Sequence, residues 1–490
     1  MAERLEEFLI EKLKKRGGSE DFWWQGRWIA STEMLERIES DRQVLVKSGF
    51  RPGQRLMTLM PNCPALVELA VAVWSLKGTL IPLNMRAGTD NLLPTIDLVQ
   101  PFGIVIARGD LKAAAGVVRY PVVQIDTDGI LDEFRGVERR TTSEDYAVFF
   151  TTSGTTGMPK AVPLTHGNFI GNLEAIIEAF PMTEDDVHLW ALPNFHSFGF
   201  TLGLLLPQAS GGKCAAVETF MPPLRVLETI AASKCTLLWL VPAMLEFLKR
   251  SAAHNPIHID SVRAVITGGD RLNTRLDEAS MEIFGHPILE GYGTTECSPV
   301  ISVNLTEQSR RLGTVGTILP GYQWKVCDSK GNALPPDTPG VLMLKGPSVF
   351  HGYFEAPQVT AERLSDDGWY NTSDVVKYDK DGYITILDRL SDIIIVGGFN
   401  VYPQEVERIL NEHPAVAQSA VVSMHHLVNG EIPRAFIVLK PEARVTDRDI
   451  IEYCKGKLAN YKIPRKVDFI EALPVSPSGK ILRRKLRELK

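Results

Sequence analysis

Thr151-Thr152-Ser153-Gly154-Thr155-Thr156-Gly157-Met158-Pro159-Lys160 follows directly on the apolar run Ala147-Val148-Phe149-Phe150. The apolar run reads as a strand. Every residue from Thr151 to Gly157 is hydroxylated or glycine. Glycines let backbone N–H groups turn into one concavity, and hydroxyls add donors, so a loop of this kind can wrap phosphate oxygens. It is not a Walker loop, because the G-x-x-x-x-G-K-[ST] spacing is absent and Lys160 sits between Pro159 and Ala161. Nor does a generic Ser/Gly linker end in Pro-Lys.

Working outward, the same strand-then-turn theme repeats. Arg55 to Met60, Gly78 to Pro82, Gly103 to Ala107, Pro121 to Ile125, Val262 to Thr267 and Pro287 to Glu290 read as short apolar strands, with Ala65 to Leu76 as a buried helix. Interleaved strands and helices predict parallel sheets of the α/β class. After about residue 312 glycine and proline become frequent, and short alternating runs such as Val341 to Lys345 and Tyr383 to Leu387 predict a β-rich subdomain. From about residue 400 a compact α+β pattern follows, with a helix near Pro403 to Glu412 and strands at Gln418 to Ser423 and Ala435 to Leu439. The expected organisation is a large N-terminal domain over 1–387, its β-rich part at about 313–387, a polar hinge at 388–392, and a small mobile α+β domain over 393–490.

At 490 residues, 44% hydrophobic and 23% charged, the chain can bury large cores. A net charge of -6 argues against a nucleic-acid binder. The six cysteines show no C-x-x-C or zinc-like spacing, which fits a reducing cytoplasm. No apolar stretch is long and uncharged enough to span a bilayer. Leu5, Phe8, Leu9 and Leu13 lie at helical spacing. They suit either a helix docked on its own domain or peripheral membrane contact.

Five more strings carry polar chemistry: Gly268-Gly269-Asp270; Glu290-Gly291-Tyr292-Gly293-Thr294-Thr295-Glu296; Trp369-Tyr370-Asn371-Thr372-Ser373-Asp374; Asp388-Arg389 with Gly397-Gly398-Phe399; and Pro474 to Lys480. With the hydroxyl-rich loop they run in the order found in the AMP-binding, adenylate-forming superfamily, which the chain resembles from about residue 30 to its end. That resemblance implies ATP, Mg²⁺ and CoA as cosubstrates. It implies phosphate contacts from Thr152, Ser153, Gly154, Thr155, Thr156, Gly157 and Lys160. Gly269 and Asp270 would lie by adenine, within a nucleotide site that includes Glu290 to Thr294, with Tyr292 packing on the base. Thr295 would touch the α-phosphate and Glu296 would hold Mg²⁺, a hard cation that takes oxygen ligands. Asp374 would accept from the ribose hydroxyls, and Arg389 would contact the nucleotide. Gly397, Gly398 and Phe399 would line the pantetheine tunnel. Lys480 would bridge the acyl carboxylate and α-phosphate, and His196 would sit beside the carboxylate. Three positions depart from the family pattern: Asp270 where a small residue is usual, Ser373 where glycine is usual, and Ser391 where lysine is frequent.

The resemblance further implies an acyl pocket lined by Phe195 to Leu206, Trp239 to Met244, Gly268 to Asp270 and Tyr292 to Val300. These segments are mostly apolar, which favours an apolar acid, read as a medium- or long-chain fatty acid. The alternatives are an acyl-carrier-protein ligase using the same adenylate, an aryl-acid ligase and a non-catalytic nucleotide-binding regulator. Lys462, Arg465 and Lys466 could serve CoA or an acidic carrier protein. Arg483, Arg484, Lys485 and Arg487 read as a solvated helix face.

Overall fold

Arg55–Leu59, Thr79–Pro82 and Gly103–Ala107 are buried at every position. Strands with no polar face are what a parallel sheet covered on both sides requires. The structure is a computed structural model that describes residues 4–85, 88–110, 117, 120–153, 159–270, 272, 274–426, 430–475 and 481–489. Packing divides the chain into two compact units, Met1–Gln323 with Leu344–Tyr370, and Trp324–Met343 with Asn371–Lys490.

The first unit holds two sheets. One has six strands in the order Val122–Ile125, Gly103–Ala107, Arg55–Leu59, Thr79–Pro82, Tyr146–Ser153, Pro159–Thr165. All neighbours are parallel except the last pair, which is an antiparallel hairpin. The second sheet has nine strands, with a parallel core of Glu20–Trp24, Lys213–Ala216, Val187–Trp190, Leu237–Leu240, Ala264–Thr267 and Ile288–Gly293. The helix Pro64–Ser75 starts on a proline, which suits a first helical turn, and is buried around its whole circumference up to Trp74. The N-terminal helix Leu5–Arg16 buries Leu5, Leu9 and Leu13 and packs against Ser31–Lys47 and Pro64–Ser75. Its apolar face is therefore spent on its own unit. Among the described residues no helix is long and apolar enough to cross a membrane.

Asp186 ties three neighbouring parallel strands together at one end. Its Oδ1 accepts from Thr236 Oγ1 at 2.7 Å and from Arg263 Nε at 2.7 Å. Its Oδ2 accepts from Arg263 Nη2 at 2.7 Å and from the Thr183 N–H at 2.8 Å. Burial alone would push this carboxyl up, but the bonds from Arg263, Thr236 and Thr183 outweigh it and hold the group at about 2.

Two residues on, His188 is fully buried. Trp239 Nε1 donates to its Nδ1 at 3.3 Å, and the two rings stack. Burial pushes this imidazole down to about 3. A depressed folded value means that the unfolded chain takes up the proton first as pH falls. Stability from this group is intact above the ordinary histidine value and is lost toward pH 3, at about 1.4 kcal/mol per pH unit. His188→Gln, which cannot protonate, is expected to melt below the wild type at pH 7.5. The gap should narrow steadily between pH 6.5 and 5 in thermal denaturation. A gap independent of pH would contradict a buried neutral imidazole.

The second unit carries a sheet in which Ile394–Val396 pairs with Phe399–Val401 and Gly430–Leu439, and Gly430–Leu439 pairs in turn with Val416–His426 and Lys466–Phe469. The helix Pro403–Asn411 covers it with Val406, Ile409 and Leu410. Tyr370–Tyr378 and Ile384–Arg389 form an antiparallel pair of a further four-stranded sheet. The C-terminal helix Arg483–Glu488 is not the free charged face expected. Leu486 is buried, Arg483 pairs with Glu407 at 2.9 Å, and Arg487 pairs with Asp392 at 2.6 Å.

Candidate active site

The hydroxyl-rich segment begins on the strand Tyr146–Ser153 and ends on Pro159–Thr165, with Thr152 opposite Lys160 and Ser153 opposite Pro159. Gly154 to Met158, hence Thr155, Thr156 and Gly157, lie outside the described residues. Lys160 extends its Nζ over the Tyr353 ring, 5.7 Å from the centroid, and the Tyr353 hydroxyl donates to Glu296 Oε1 at 2.8 Å. Lys160, from the hydroxyl-rich motif, and Glu296, from the glutamate motif, are thus brought to one phenol. Tyr353 carries no motif of its own in the sequence. It stands in an aperiodic stretch, and only the approach of Lys160 and Glu296 gives it a role.

Gly291 to Gly293 complete the strand Ile288–Gly293, and Thr295–Cys297 form one 3-10 turn after it. The Glu290 carbonyl accepts from the Asn304 N–H at 3.0 Å and from its side-chain amide at 3.1 Å, which fixes the strand end. Thr295 Oγ1 lies 3.0 Å from Ser197 Oγ. Ser197 likewise carries no motif of its own, and it joins the glutamate motif to the segment bearing His196. His196 Nδ1 accepts from the Phe198 N–H at 3.3 Å, which caps the helical run beginning at Ser197 and orients the ring. That run passes through a π-helical stretch, Phe200–Leu205, a geometry often found at functional sites. Gly203 lets this stretch pack closely on Trp190, because a Cβ there would stand 1.9 Å from Trp190 Cδ1. Gly269 and Asp270 are exposed at the end of Ala264–Thr267, with Gly269 in the left-handed region at φ 83°.

ATP and Mg²⁺ suit what this unit offers. Among the described residues the buried Thr294 hydroxyl meets no hydrogen-bond partner, which leaves a donor for a phosphate oxygen. Glu296 is a half-buried carboxylate with lone pairs beyond the one that Tyr353 uses. Magnesium usually takes one or two carboxylates and completes its shell with phosphate and water.

In the second unit Asp374 is buried and stands directly across from Arg389, with Arg389 Nε 3.4 Å from Asp374 Oδ1. The Asp374 N–H donates to Thr372 Oγ1 at 3.0 Å. Ser373 has φ 57°, and its N–H donates to Asn371 Oδ1 at 2.8 Å. The loop is therefore kept, but a serine is held where L-residues are strained. Relief of about 1–2 kcal/mol, less the extra unfolded-state freedom of glycine of about 0.5–1 kcal/mol, leaves a net gain. Ser373→Gly is expected to stabilise the protein by roughly 0.5–1 kcal/mol in chemical denaturation. A loss of stability would show that the serine hydroxyl matters more than the backbone.

Gly397 and Gly398, at φ 56° and 89°, form the two-residue turn between Ile394–Val396 and Phe399–Val401. Positive φ at both central positions is the signature of a type I′ hairpin turn, which glycine adopts without strain. Phe399 is 59% exposed, with its ring 5.0 Å from that of Tyr461. Asp388 is buried and accepts from the N–H groups of Arg389 and Gln404, each at 2.9 Å. Lys462 is held by both Glu405 oxygens, at 2.7 and 2.8 Å. Lys480 lies outside the described residues.

Known proteins are similar to this chain in sequence and fold. The AMP-binding enzyme family matches residues 10–354, and the AMP-binding enzyme C-terminal domain matches residues 405–480. A feruloyl-CoA synthase of Amycolatopsis sp. is 30% identical over 94% of both chains. A long-chain-fatty-acid–CoA ligase of Escherichia coli O6:H1 is 34% identical over 70% of this chain and 62% of its own length. The o-succinylbenzoate CoA synthetase MenE of Bacillus subtilis, solved in complex with ATP and a magnesium ion, superposes with a TM-score of 0.85. It is 28% identical over 98% of each chain. The chain therefore belongs to the AMP-binding enzymes, as an AMP-forming acid–thiol ligase that joins a carboxylic acid to CoA as an acyl- or aryl-CoA thioester, using ATP as cosubstrate and Mg²⁺ as cofactor.

Proposed function

We propose that the acid is a medium- or long-chain fatty acid. The observation that carries this reading is the apolar character of segments 195–206 and 239–244, which contain no acidic residue to meet a polar substrate group. Phe200, Leu202, Leu204, Leu205 and Trp239 are buried there. The long-chain ligase relative supports the same reading. An aromatic acid is the second reading, favoured by the feruloyl-CoA synthase match along nearly the whole chain.

In the first step a carboxylate oxygen of the acid attacks the α-phosphorus of ATP. The bond to the bridging oxygen breaks and pyrophosphate leaves, giving acyl-AMP. In the second, a CoA thiolate attacks the acyl carbonyl and AMP leaves. The first step rests on positioning and charge neutralisation. Bound Mg²⁺ would neutralise phosphate charge from Glu296. Thr152 to Gly157, Lys160, Thr294 and Thr295 would hold phosphate oxygens. Gly269, Asp270 and Glu290 to Gly293 would flank the base, and Asp374 and Arg389 would hold the ribose side. Lys480 would bridge carboxylate and α-phosphate, with His196 beside the carboxylate. Rotation at 388–392 between a domain over 1–387 and one over 393–490 would bring Gly397, Gly398 and Phe399 into use for the pantetheine arm.

The test is acid-dependent pyrophosphate release with ATP and Mg²⁺ across saturated fatty acids and hydroxycinnamic acids, with and without CoA. Turnover rising with one class of fatty-acid chain length supports the reading. Turnover with hydroxycinnamic acids alone replaces it with the aryl reading. Acyl-AMP that accumulates without passing to CoA would point to a carrier-protein acceptor.

A further inference from the structure

Asn62 lies just past the strand Arg55–Leu59 of the six-stranded sheet and is 3% exposed. Its side chain reaches across to the nine-stranded sheet. Nδ2 donates to the carbonyl of Leu192 at 2.9 Å and, more weakly, to that of Trp190 at 3.4 Å. Oδ1 accepts from the Asn194 N–H at 3.1 Å and from Asn194 Nδ2 at 3.2 Å. Asn194 is 2% exposed, and its Nδ2 also donates back to the Met60 carbonyl at 2.8 Å. The two amides thus form a reciprocal latch between the C-terminal ends of two strands, Arg55–Leu59 and Val187–Trp190, that belong to different sheets.

What the latch holds is the start of the His196 segment. The His196 N–H donates to the Pro193 carbonyl at 3.2 Å, one residue before Asn194. Gly199 returns so close to Leu192 and Pro193 that a Cβ would stand 2.3 Å from the Pro193 oxygen. Beyond His196, Ser197 meets Thr295, next to Glu296. The segment is therefore pinned upstream by Asn62 and downstream by the glutamate motif, with His196 between the two pins. Removing this buried amide is costly, because it takes away the side-chain donor of the Leu192 carbonyl and the acceptor of the Asn194 N–H, while the Trp190 carbonyl keeps the Val217 N–H at 3.1 Å.

We infer that Asn62 is a positioning residue for acid activation, setting through Asn194 where His196 stands beside the acyl carboxylate. The inference rests on the reading of His196 given above. A shift of about 1 Å at a reacting group costs on the order of 10²-fold in rate. In the reading above the ATP contacts lie on other segments, touched by this one only through Ser197 and Thr295, so KM for ATP should change little.

The test is a double-variant cycle on the full chain, with the best acid of the panel. The measured quantities are kcat and KM for the acid and for ATP in pyrophosphate release, together with the melting temperature. Asn62→Ala should lower kcat/KM for the acid by about 10²-fold and leave KM for ATP within about threefold. In a His196→Ala background the same change should cost no more than about threefold, because the residue it positions is gone. Equal losses in both backgrounds, or a matching rise in KM for ATP, would overturn the inference in favour of a general structural role. If His196→Ala is impaired while Asn62→Ala is not, the inference fails and the site reading stands. If His196→Ala is itself unimpaired, the site reading fails and the inference falls with it. Should Asn62→Ala not fold, Asn62→Ser, which keeps a hydroxyl for one of the bonds, carries the same cycle.

Discussion

Lys480→Ala is expected to lower acid-dependent pyrophosphate release by about 10²- to 10³-fold, the usual cost of losing one charge-stabilising donor at a reacting centre. The attacking carboxylate, the α-phosphate and the leaving pyrophosphate are all anionic, so a cation between them does most where negative charge gathers on phosphorus. The second half-reaction makes no such demand, since its leaving group is AMP and its nucleophile a thiolate. Conversion of supplied acyl-AMP to acyl-CoA should therefore stay within about threefold of wild type. The pair of assays, release of pyrophosphate from ATP and consumption of preformed acyl-AMP, separates the two steps. Equal loss in both would mean that Lys480 serves binding or folding and not the first transfer.

The second large effect concerns stability. Asp186→Ala should destabilise the protein by about 3 kcal/mol, the lower end of the range for removing one partner of a buried ion pair. The lower end applies because the Arg263 side chain is 36% exposed and recovers some water. The loss comes from Thr236, Arg263 and the Thr183 N–H together, which are left without their shared acceptor at the ends of three strands. Denaturant unfolding near neutral pH measures it. The carboxyl sits near 2, below its ordinary value, so its contribution is present above about pH 4 and is lost as pH falls through 2. Wild type and variant should therefore converge in strong acid. A loss under 1 kcal/mol at neutral pH would show that water replaces the carboxylate without penalty.

Much of the fold was legible because its core strands carry the signal in their composition. Arg55–Leu59, Gly103–Ala107 and Ala264–Thr267 fall within a residue or two of the apolar runs that announced them. The glycines before Glu296 lie at a strand end, where a Cβ on Gly293 would stand 2.1 Å from the Pro299 carbonyl oxygen, so close backbone approach accounts for that part of the string. Other features left no local trace. Phe200–Leu205 is apolar at every position but Thr201, so periodicity cannot distinguish α from π winding there. Arg483 and Arg487 look solvated in a basic run, because Glu407 and Asp392, which neutralise them, lie far away in sequence. Tyr353 and Ser197 are ordinary residue types whose roles exist only through tertiary approach.

Cys63, Cys214, Cys235, Cys297, Cys327 and Cys454 take part in no disulfide and are all buried. Burial pushes the Cys235 thiol up to about 12 and that of Cys454 to about 11. Burial likewise raises Cys63, Cys214 and Cys327, so thiolate, the form that reacts with disulfide reagents, is scarce at these five near neutral pH, and Cys297 is shielded by burial. An Ellman-type colorimetric readout of remaining CoA can be run with the native enzyme in the cuvette, because the protein contributes almost no thiol signal. When six further equivalents of thiol begin to react, the sample is reporting unfolding and no longer turnover.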